Sequence, residues 1–444
     1  MHRLLAFLII AVCFVARLTA QQQPPSPKEV AGNQLLSDGV NGDLPKWLRV
    51  GSEYRARFEG YTGGGFKPNS EDAYFLSRLR INMFLLPTTW LRFGFQGQDA
   101  HVFGKNQNPA VPPYQDSMDL RQAYVEFGDV EKKSVGVRAG RQELAFGDER
   151  LLGNANWLNT ARSFDALRGT IRHGGFRADL FAARVVKLQD GEFDWSTPGN
   201  NLYGVYGGIE KLVPSATVEP YFLWRRQSAL KTELGMPGIS NFATVGVRWV
   251  GKLPANLDYG TEMDKQAGSL GTDTISAWAG HWLLGKTLIN MRFKPHFSVE
   301  YNYASGDRNP TDGTRSTFDQ LYPTGHDKYG LDDQVGWKNI RNARAGVDLK
   351  LAKKWGLRNR YDAWWLADPH DALYTAASTV VARNTAGTAG RFVGQELDSV
   401  VAYTFSKYLQ VSGGYGHIFP GTFLNHTTPG ESYNFPYAST TLVF

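Results

Sequence analysis

Arginine residues stand two positions apart in several otherwise apolar stretches of the chain. Residues 75–86 read FLSRLRINMFLL, where Arg78 and Arg80 alternate with Leu79 and Ile81. A guanidinium group presents a planar fork of donors that matches a carboxylate in a bidentate arrangement. A row of such groups can therefore bind an anion that carries several carboxylates. The arginines for which this chemistry is predicted are Arg55, Arg57, Arg78, Arg80, Arg138, Arg168, Arg358 and Arg360.

Two interpretations of this arginine set are open. Acidic residues such as Glu53, Glu126 and Asp179 follow the same alternation and fall on the same predicted face. In the first interpretation, arginines and acids pair across neighbouring strands and fill the interior. In the second, arginines in excess of the acids form a basic field that attracts anions. Both can hold together, because the partners depend on cross-strand register, which the sequence does not give.

Catalytic chemistry has little support in the sequence. Neither the H-E-x-x-H nor the G-x-S-x-G motif occurs, and the only cysteine is Cys13. In GDRNPTDG (306–313), Asp307 and Asp312 flank Asn309 loosely as in a calcium loop, but they miss the EF-hand spacing. Ordinary turn chemistry is therefore predicted there, with a loop-bound cation as the alternative. We expect no enzyme activity, no catalytic residue, no metal and no cofactor.

The composition excludes a helical membrane protein. The 444-residue chain has a mean hydropathy of −0.35, 48 glycines and 13% aromatic residues. Its one long apolar stretch, MHRLLAFLIIAVCFVARLTA, predicts a signal peptide over residues 1–20. The polar residues 21–46 predict a flexible periplasmic tail. Removing Arg3 and Arg17 with the signal peptide lowers the net charge from +6 to +4, without the basic blocks of a nucleic-acid-binding protein.

Polar and apolar residues alternate with period two over the whole chain after the tail. In LRVGSEYRARFE, Arg55 and Arg57 share one face, whereas Tyr54 and Phe58 share the other. Successive side chains of a strand point to opposite faces, so this pattern predicts β-strands, with no long amphipathic helix between them. Eighteen strands are predicted near 48–58, 74–86, 90–98, 119–128, 134–143, 164–173, 175–187, 202–211, 217–226, 242–250, 256–265, 273–283, 292–304, 341–351, 355–366, 393–405, 408–418 and 435–444.

The links between strands indicate a membrane barrel. Links after odd-numbered strands are long, whereas those after even-numbered strands are mostly short, such as PTT, GDVEKK and HG. Outer-membrane barrels combine short periplasmic turns, long outer loops and an even strand number. The terminal Phe444 also resembles the outer-membrane assembly signal. We predict an all-β fold: a transmembrane antiparallel β-barrel of about 18 strands over residues 47–444, of the bacterial outer-membrane type, with its arginines facing a wet interior.

Several segments resemble the alginate export family of outer-membrane porins. The most specific are GRQELAFGDERLLGNANWLNTARSFDALR (140–168) and EYNYASGDRNPTDGTRSTFDQLYPTGHDKYG (300–330), and LPKWLRVGSEYRARFE (44–59) and FLSRLRINM (75–83) support them. The resemblance implies a monomeric 18-stranded barrel with an arginine-rich, electropositive constriction. It also implies passive export of an anionic polyuronate, with periplasmic export proteins as partners that deliver the polymer.

The resemblance adds three outer-loop candidates, Arg141, Asp148 and Arg150. They lie in GRQELAFGDERL, which is expected to run from a strand end into an outer loop folded toward the pore, with loop packing as the alternative role. The predicted function is a passive channel for an alginate-like polyuronate. The alternative is uptake of small anionic solutes such as uronate oligomers or organic acids. Expected partners are outer-membrane lipid and an anionic polysaccharide or oligosaccharide, with no nucleic acid.

Overall fold

The computed structural model describes residues 37–106, 111–210 and 213–444. The predicted signal peptide and residues 21–36 of the predicted tail lie outside these ranges. The described part begins with a short helix, α1 (Ser37–Asp43). The side chain of Asn41 ties this helix to the first strand, because its amide donates to the oxygen of Val50 and its oxygen accepts from the nitrogen of Val50, both at 2.8 Å. No helix among the described residues is long and apolar enough to cross a membrane.

One sheet of 19 strands contains the whole wall of the molecule, and its two-residue member β14 (Thr314–Arg315) is not part of that wall. Two further short strands, β17 (Ala372–Tyr374) and β18 (Val380–Arg383), form a separate hairpin in a long link. The 18 wall strands are β1 (Leu48–Tyr61), β2 (Asp72–Leu85), β3 (Leu91–Phe103), β4 (Asp116–Gly128), β5 (Val135–Gln142), β6 (Phe164–His173), β7 (Phe176–Lys187), β8 (Trp195–Ile209), β9 (Ala216–Lys231), β10 (Pro237–Leu253), β11 (Leu257–Leu270), β12 (Asp273–Thr287), β13 (His296–Ala304), β15 (Ile340–Ala352), β16 (Trp355–Leu366), β19 (Phe392–Thr404), β20 (Leu409–Pro420) and β21 (Tyr433–Val443).

The sheet closes on itself through its first and last strands. Strand β21 pairs antiparallel with β1, so that Tyr54 lies opposite Leu442 and Phe58 lies opposite Ala438. Closure leaves no free sheet edge, which a bilayer core requires because water cannot reach exposed backbone groups there. The predicted antiparallel barrel of 18 strands is therefore confirmed.

The two faces of the wall differ in the way that the alternation predicts. On β2, Phe75, Ile81 and Met83 are exposed on the outer surface, whereas Arg78 and Arg80 are buried on the interior side. A charge on the lipid-facing side of such a wall costs about 2–4 kcal/mol at the bilayer midplane. This cost favours apolar side chains on the outer face and charged side chains on the interior face.

Aromatic side chains pair on the outer surface toward both ends of the barrel. Such girdles sit at the two membrane–water interfaces, where a ring is partly in lipid and partly in water. Toward the short turns, the neighbouring rings are Trp90 and Phe127, Trp249 and Tyr259, and Trp355 and Tyr403. Toward the long links, they are Phe75 and Phe103, Trp278 and Tyr303, and Trp365 and Phe392.

Long links are confined to one end of the barrel, but not every link at that end is long. Strands β9 and β10 continue for 16 and 17 residues and are joined by residues 232–236 alone. The link from β11 to β12 is shorter still, at residues 271–272. The prediction that all links after odd-numbered strands are long is wrong here, because period-two pairing extends farther than the sequence pattern indicated.

Two of the long links fold back into the barrel. The first inward segment, residues 143–163, joins β5 to β6, and the second inward segment, residues 305–339, joins β13 to β15. They hydrogen-bond to each other, since the nitrogen of Tyr322 donates to the oxygen of Leu151 at 2.9 Å. Phe318 and Trp337 of the second segment are fully buried in an apolar cluster that includes wall residues. The interior is therefore partly filled by protein.

Candidate functional site

Four of the predicted arginines form a basic strip on the interior face of β1 and β2. Arg55 lies opposite Arg78 in the antiparallel register, and Arg80 lies opposite Glu53. Arg57 follows Arg55 by two residues and therefore shares its face. None of the four arginine side chains is more than 3% exposed. The alternation of side chains along each strand places these arginines on the interior face. The register between β1 and β2 then brings the arginine pair of one strand beside that of the other.

The first inward segment covers the basic strip with backbone carbonyl groups. The carbonyl oxygens of residues 156–158 accept six hydrogen bonds from Arg55, Arg57 and Arg78, over nitrogen–oxygen distances of 2.7 to 3.2 Å. A carbonyl group is dipolar but carries no net charge. These contacts therefore satisfy the guanidinium donors without neutralising the guanidinium charges.

Two carboxylates pair with the basic strip within the described residues. Glu53 Oε1 lies 2.6 Å from a terminal nitrogen of Arg78 and 3.8 Å from one of Arg80. Glu59 Oε1 lies 2.6 Å from Nε of Arg57. Four guanidinium groups thus face two carboxylates, which leaves a formal excess of two positive charges in a buried region.

Side chains of both inward segments complete the cover over the basic strip. Arg80 donates to the side-chain oxygen of Asn156 at 2.7 Å. The Trp157 ring lies between two groups, with its centroid 3.9 Å from Cζ of Arg57 and 3.7 Å from the ring centroid of His326. A guanidinium over an indole face is stabilised by a cation–π interaction. Because His326 belongs to the second inward segment, the two segments meet at the strip.

Asp148 and Arg150, two of the predicted outer-loop residues, hold the opposite end of the first inward segment. Lys328 Nζ lies 2.8 Å from Asp148, and Arg150 lies 3.2 Å from both Asp148 and Glu300. Burial opposes ionisation of Asp148, but Lys328 and Arg150 outweigh it and lower the pKa of that carboxyl to about 2. This end of the segment is therefore held by ion pairs.

Arg141, the third outer-loop candidate, is placed elsewhere. It stands near the end of β5 and forms a partly exposed ion pair with Asp165, over 2.9 Å from Nε to Oδ1. Its guanidinium also donates to the carbonyl oxygen of Asp194 at 2.9 Å. The structure does not bring Arg141 to the basic strip.

A second group of interior arginines, the paired wall, is formed by Arg168, Arg177 and Arg248 with Asp179 and Glu219. Arg168 and Arg177 lie 2.7 and 3.0 Å from the two oxygens of Asp179. Arg248 lies 2.6 Å from Glu219, and Arg177 reaches the same carboxylate at 3.5 Å. Arg168 also lies 2.9 Å from Glu131. Three carboxylates therefore compensate three guanidinium groups here, as the first interpretation of the arginine set expects.

The other predicted arginines also contact carboxylates. Arg360 pairs with Asp348 at 2.9 Å. Arg138 pairs with Glu126, and Arg358 pairs with Asp327. Of the eight arginines predicted to line a pore, the structure thus brings together Arg55, Arg57, Arg78 and Arg80 and distributes the others among separate ion pairs.

A cleft opens near the short-turn end, beside the basic strip. It lies between the interior faces of β2 to β5. Arg92, Tyr124 and Arg138 line it, and it reaches Asn82, which follows Arg80 by two residues on the same face of β2. Asp129, Glu131 and Glu143 also line it, so groups of both charges surround the cleft.

Sequence reasoning missed the residues that cover the basic strip. The segment GNANWLNTARS contains three asparagines, a residue type that satisfies backbone groups away from regular structure. Asn159 does so, because its amide lies 2.9 to 3.2 Å from the carbonyl oxygens of Ser77, His101 and Tyr114. The asparagine density was the available signal, but it does not identify the partners, which lie on distant strands.

Comparisons with known proteins agree with this architecture. The chain is similar to the Pseudomonas aeruginosa porin OpdQ, with a TM-score of 0.61 at 12% identity over 91% of this chain and 99% of that one. It is also similar to the outer membrane protein opdK of the same organism, with a TM-score of 0.59 at 9% identity over 89% of this chain and 98% of that one. No curated protein matches the sequence. At these identities the structural likeness shows the fold alone.

The family comparison covers nearly the whole chain. The alginate export family matches residues 46–437, which include the basic strip, both inward segments and the first five residues of β21. Family and fold are those of outer-membrane channels, and they place the chain in the bacterial outer membrane. The chain therefore belongs to the alginate export family and is a passive outer-membrane channel.

Proposed function

We propose that this channel conducts an anionic saccharide of the uronate type, whose carboxylates are guided by the basic strip. The observation that carries the proposal is the excess of positive charge on Arg55, Arg57, Arg78 and Arg80, which the carbonyl groups of residues 156–158 leave uncompensated. In a region of low dielectric constant, such an excess attracts anions strongly.

Carboxylates can compete with the carbonyl groups for the same donors. A guanidinium fork donates two parallel hydrogen bonds to a carboxylate, and the carboxylate also supplies the opposite charge that a carbonyl group lacks. A uronate chain can thus exchange one carboxylate for the next along the strip. Residues 156–158 serve in this scheme as neutral occupants that satisfy the donors when no solute is present.

The direction of transport is the second part of the proposal. Family membership supports export of an anionic polysaccharide. We propose that periplasmic export proteins deliver it to a monomeric barrel in outer-membrane lipid. Uptake of small anionic solutes is the alternative. One observation supports it: the two inward segments fill part of the interior, which suits a short oligomer better than a long chain. Both directions use the same arginines.

Planar-bilayer conductance of the purified protein tests this proposal. The reversal potential in a salt gradient should show anion selectivity, and an added oligouronate should block the current. The variant R55Q/R80Q removes two charges without orphaning a carboxylate, because Glu53 keeps Arg78 at 2.6 Å. We expect its reversal potential to move toward zero and its oligouronate block to weaken about tenfold, since hydrogen bonds to charged groups contribute about 1.5–3 kcal/mol.

A matched control removes charges from the paired wall. The variant R248Q/E219Q deletes one arginine and one carboxylate together, so the interior charge stays the same. It should keep the selectivity and the block of the native channel. Cation selectivity of the native channel, absence of block, or equal losses in both variants would overturn the proposal.

A further inference from the structure

We propose that Asp332, Glu396 and Asp398 bind a divalent cation, with calcium as the best match. Asp332 belongs to the second inward segment, whereas Glu396 and Asp398 face the interior from β19. Carboxylate oxygens of the three residues all lie within 4.8 Å of one another. The three residues are 4%, 1% and 4% exposed. This site does not depend on the proposed solute.

Asp332 lacks the partners that other buried acids of the barrel have. Among the described residues, neither side-chain oxygen of Asp332 has a hydrogen-bond donor. Within the described ranges, no lysine, arginine or histidine forms an ion pair with Asp332, Glu396 or Asp398. The nearby arginines Arg344 and Arg360 are engaged with other acids.

Three buried carboxylates without a counter-charge are unstable as an isolated group. Burying one uncompensated ion costs several kcal/mol even after relaxation, so such groups take up protons or a cation. The second inward segment brings Asp332 to the two wall carboxylates and therefore assembles the cluster only in the folded barrel. A cation between them would join this segment to β19.

The geometry matches calcium better than other common metals. Calcium binds oxygen ligands at 2.3–2.6 Å, so two oxygens on opposite sides of one ion are separated by at most about 5 Å, as in this cluster. Magnesium requires a tighter octahedron and retains several waters, and zinc prefers nitrogen and sulfur. One oxygen of Glu396 accepts the backbone amides of Leu331 and Asp332 and is thereby held in place.

A glycine permits the close approach of Asp332 to this part of the wall. A β-carbon at Gly416 would lie 1.9 Å from Oδ1 of Asp332 and 3.0 Å from Oδ1 of Asp398. The substitution Gly416→Ala therefore displaces the cluster while leaving all three carboxylates in the chain. It provides a variant that tests geometry separately from charge.

In a second group of acids, Asp116, Asp119 and Asp194, backbone amides donate to two of the three carboxylates. Asp119 accepts from Asp194 at 2.7 Å, and Asp194 accepts from Gln189 at 2.8 Å. Amide donors already stabilise negative charge on these two residues, whereas one oxygen of Asp116 has no donor. Asp116→Asn is therefore a matched control, because it changes a buried aspartate in a three-carboxylate group outside the proposed site.

The test is calcium binding by the purified full-length protein in detergent. The protein is stripped with a chelator, dialysed against calcium at pH 7.5, and its bound calcium is counted per barrel. The variant D332N/D398N should bind one equivalent less than the native protein, whereas D116N should bind as much as the native protein. Gly416→Ala should lower the calcium affinity about tenfold or more, the usual effect of disturbing the surroundings of a metal site.

Folding of each variant is checked by the heat-dependent shift of barrel migration on a denaturing gel. If D332N/D398N does not fold, Gly416→Ala and the single variant D398N carry the test. No calcium uptake by the native protein would overturn the proposal and indicate that the carboxylates hold protons instead. Unchanged binding in folded D332N/D398N, or an equal loss in D116N, would overturn it as well.

Discussion

The basic strip and the paired wall use the same residue type on the same face of one barrel, yet they treat its charge differently. In the paired wall, Arg168 and Arg248 contact carboxylates at 2.7 and 2.6 Å. In the basic strip, Arg55 donates to the carbonyl oxygens of residues 156–158, at 2.8 to 3.1 Å. An arginine in such a barrel therefore contributes either to rigidity or to the interior field, depending on its acceptor.

This difference has an energetic reason. An ion pair buried between strands is costly to break, because the remaining partner is left charged in a medium of low dielectric constant. A carbonyl acceptor can leave a guanidinium without creating a new charge. A solute carboxylate can therefore replace a protein acceptor at a lower free-energy cost in the basic strip than in the paired wall.

The largest effect is expected from breaking the paired wall. Arg168→Gln leaves Asp179, which is fully buried, with Arg177 as its remaining ion-pair partner. The free energy of unfolding of this variant should fall by about 3 kcal/mol, because Arg168 donates to both Asp179 and Glu131 and a hydrogen bond to a charged group contributes about 1.5–3 kcal/mol. Urea unfolding in lipid vesicles measures this. The double variant R168Q/D179N should recover part of the loss, and a single variant as stable as the native protein would contradict the distinction between the two regions.

The second-largest effect is expected on stability when the pH is lowered, at the end of the first inward segment where Asp148 pairs with Lys328. The folded-state pKa of Asp148 is lowered to about 2, from an ordinary value of 3.8. Its contribution to stability is therefore complete above pH 4 and is lost as the pH falls through about 2. Linkage over this shift amounts to about 2 kcal/mol. The native protein should lose its stability advantage over Asp148→Asn between pH 4 and pH 2, whereas a constant difference across this range would argue against the ion pair with Lys328.

A smaller stability effect, with a large effect on selectivity, is expected in the basic strip. Arg55→Gln removes three hydrogen bonds to carbonyl groups that Arg57 and Arg78 also contact. We expect a net loss of about 1 kcal/mol in the free energy of unfolding, because removing one guanidinium also relieves its repulsion with the neighbouring Arg57 and Arg78 and so offsets part of the lost hydrogen bonding. The reversal potential in a salt gradient should move toward zero at the same time. A change in stability without a change in reversal potential would assign Arg55 to loop packing alone.

The smallest effect is expected for Arg141→Gln. The ion pair between Arg141 and Asp165 is partly exposed, with Asp165 34% exposed at its side chain. Such pairs contribute about 0–1 kcal/mol, because water screens the attraction and both side chains lose freedom. Urea unfolding and single-channel conductance should therefore both stay near the native values. A large change in conductance would place Arg141 in the solute path after all.

Much of the barrel was predictable from the sequence. The prediction at residues 256–265, which has the weakest alternation, corresponds to β11 at Leu257–Leu270, and the prediction at 435–444 corresponds to β21 at Tyr433–Val443. The largest difference in boundary is at β8, which is predicted from residue 202 and begins at Trp195, followed by the end of β9 and the start of β10. The site was predictable only as a set of inward-facing arginines, without their partners.

The sequence by itself determined which side chains face lipid and which face the interior, because a strand alternates its faces every residue and lipid excludes charge. Only the tertiary structure decided what each arginine contacts. The acceptors of Arg55 lie about a hundred positions away, at residues 156–158, and they arrive through a link that folds inward. The cluster of Asp332 with Glu396 and Asp398 likewise joins a link to a distant strand. Such contacts follow from register and loop packing, which no local pattern encodes.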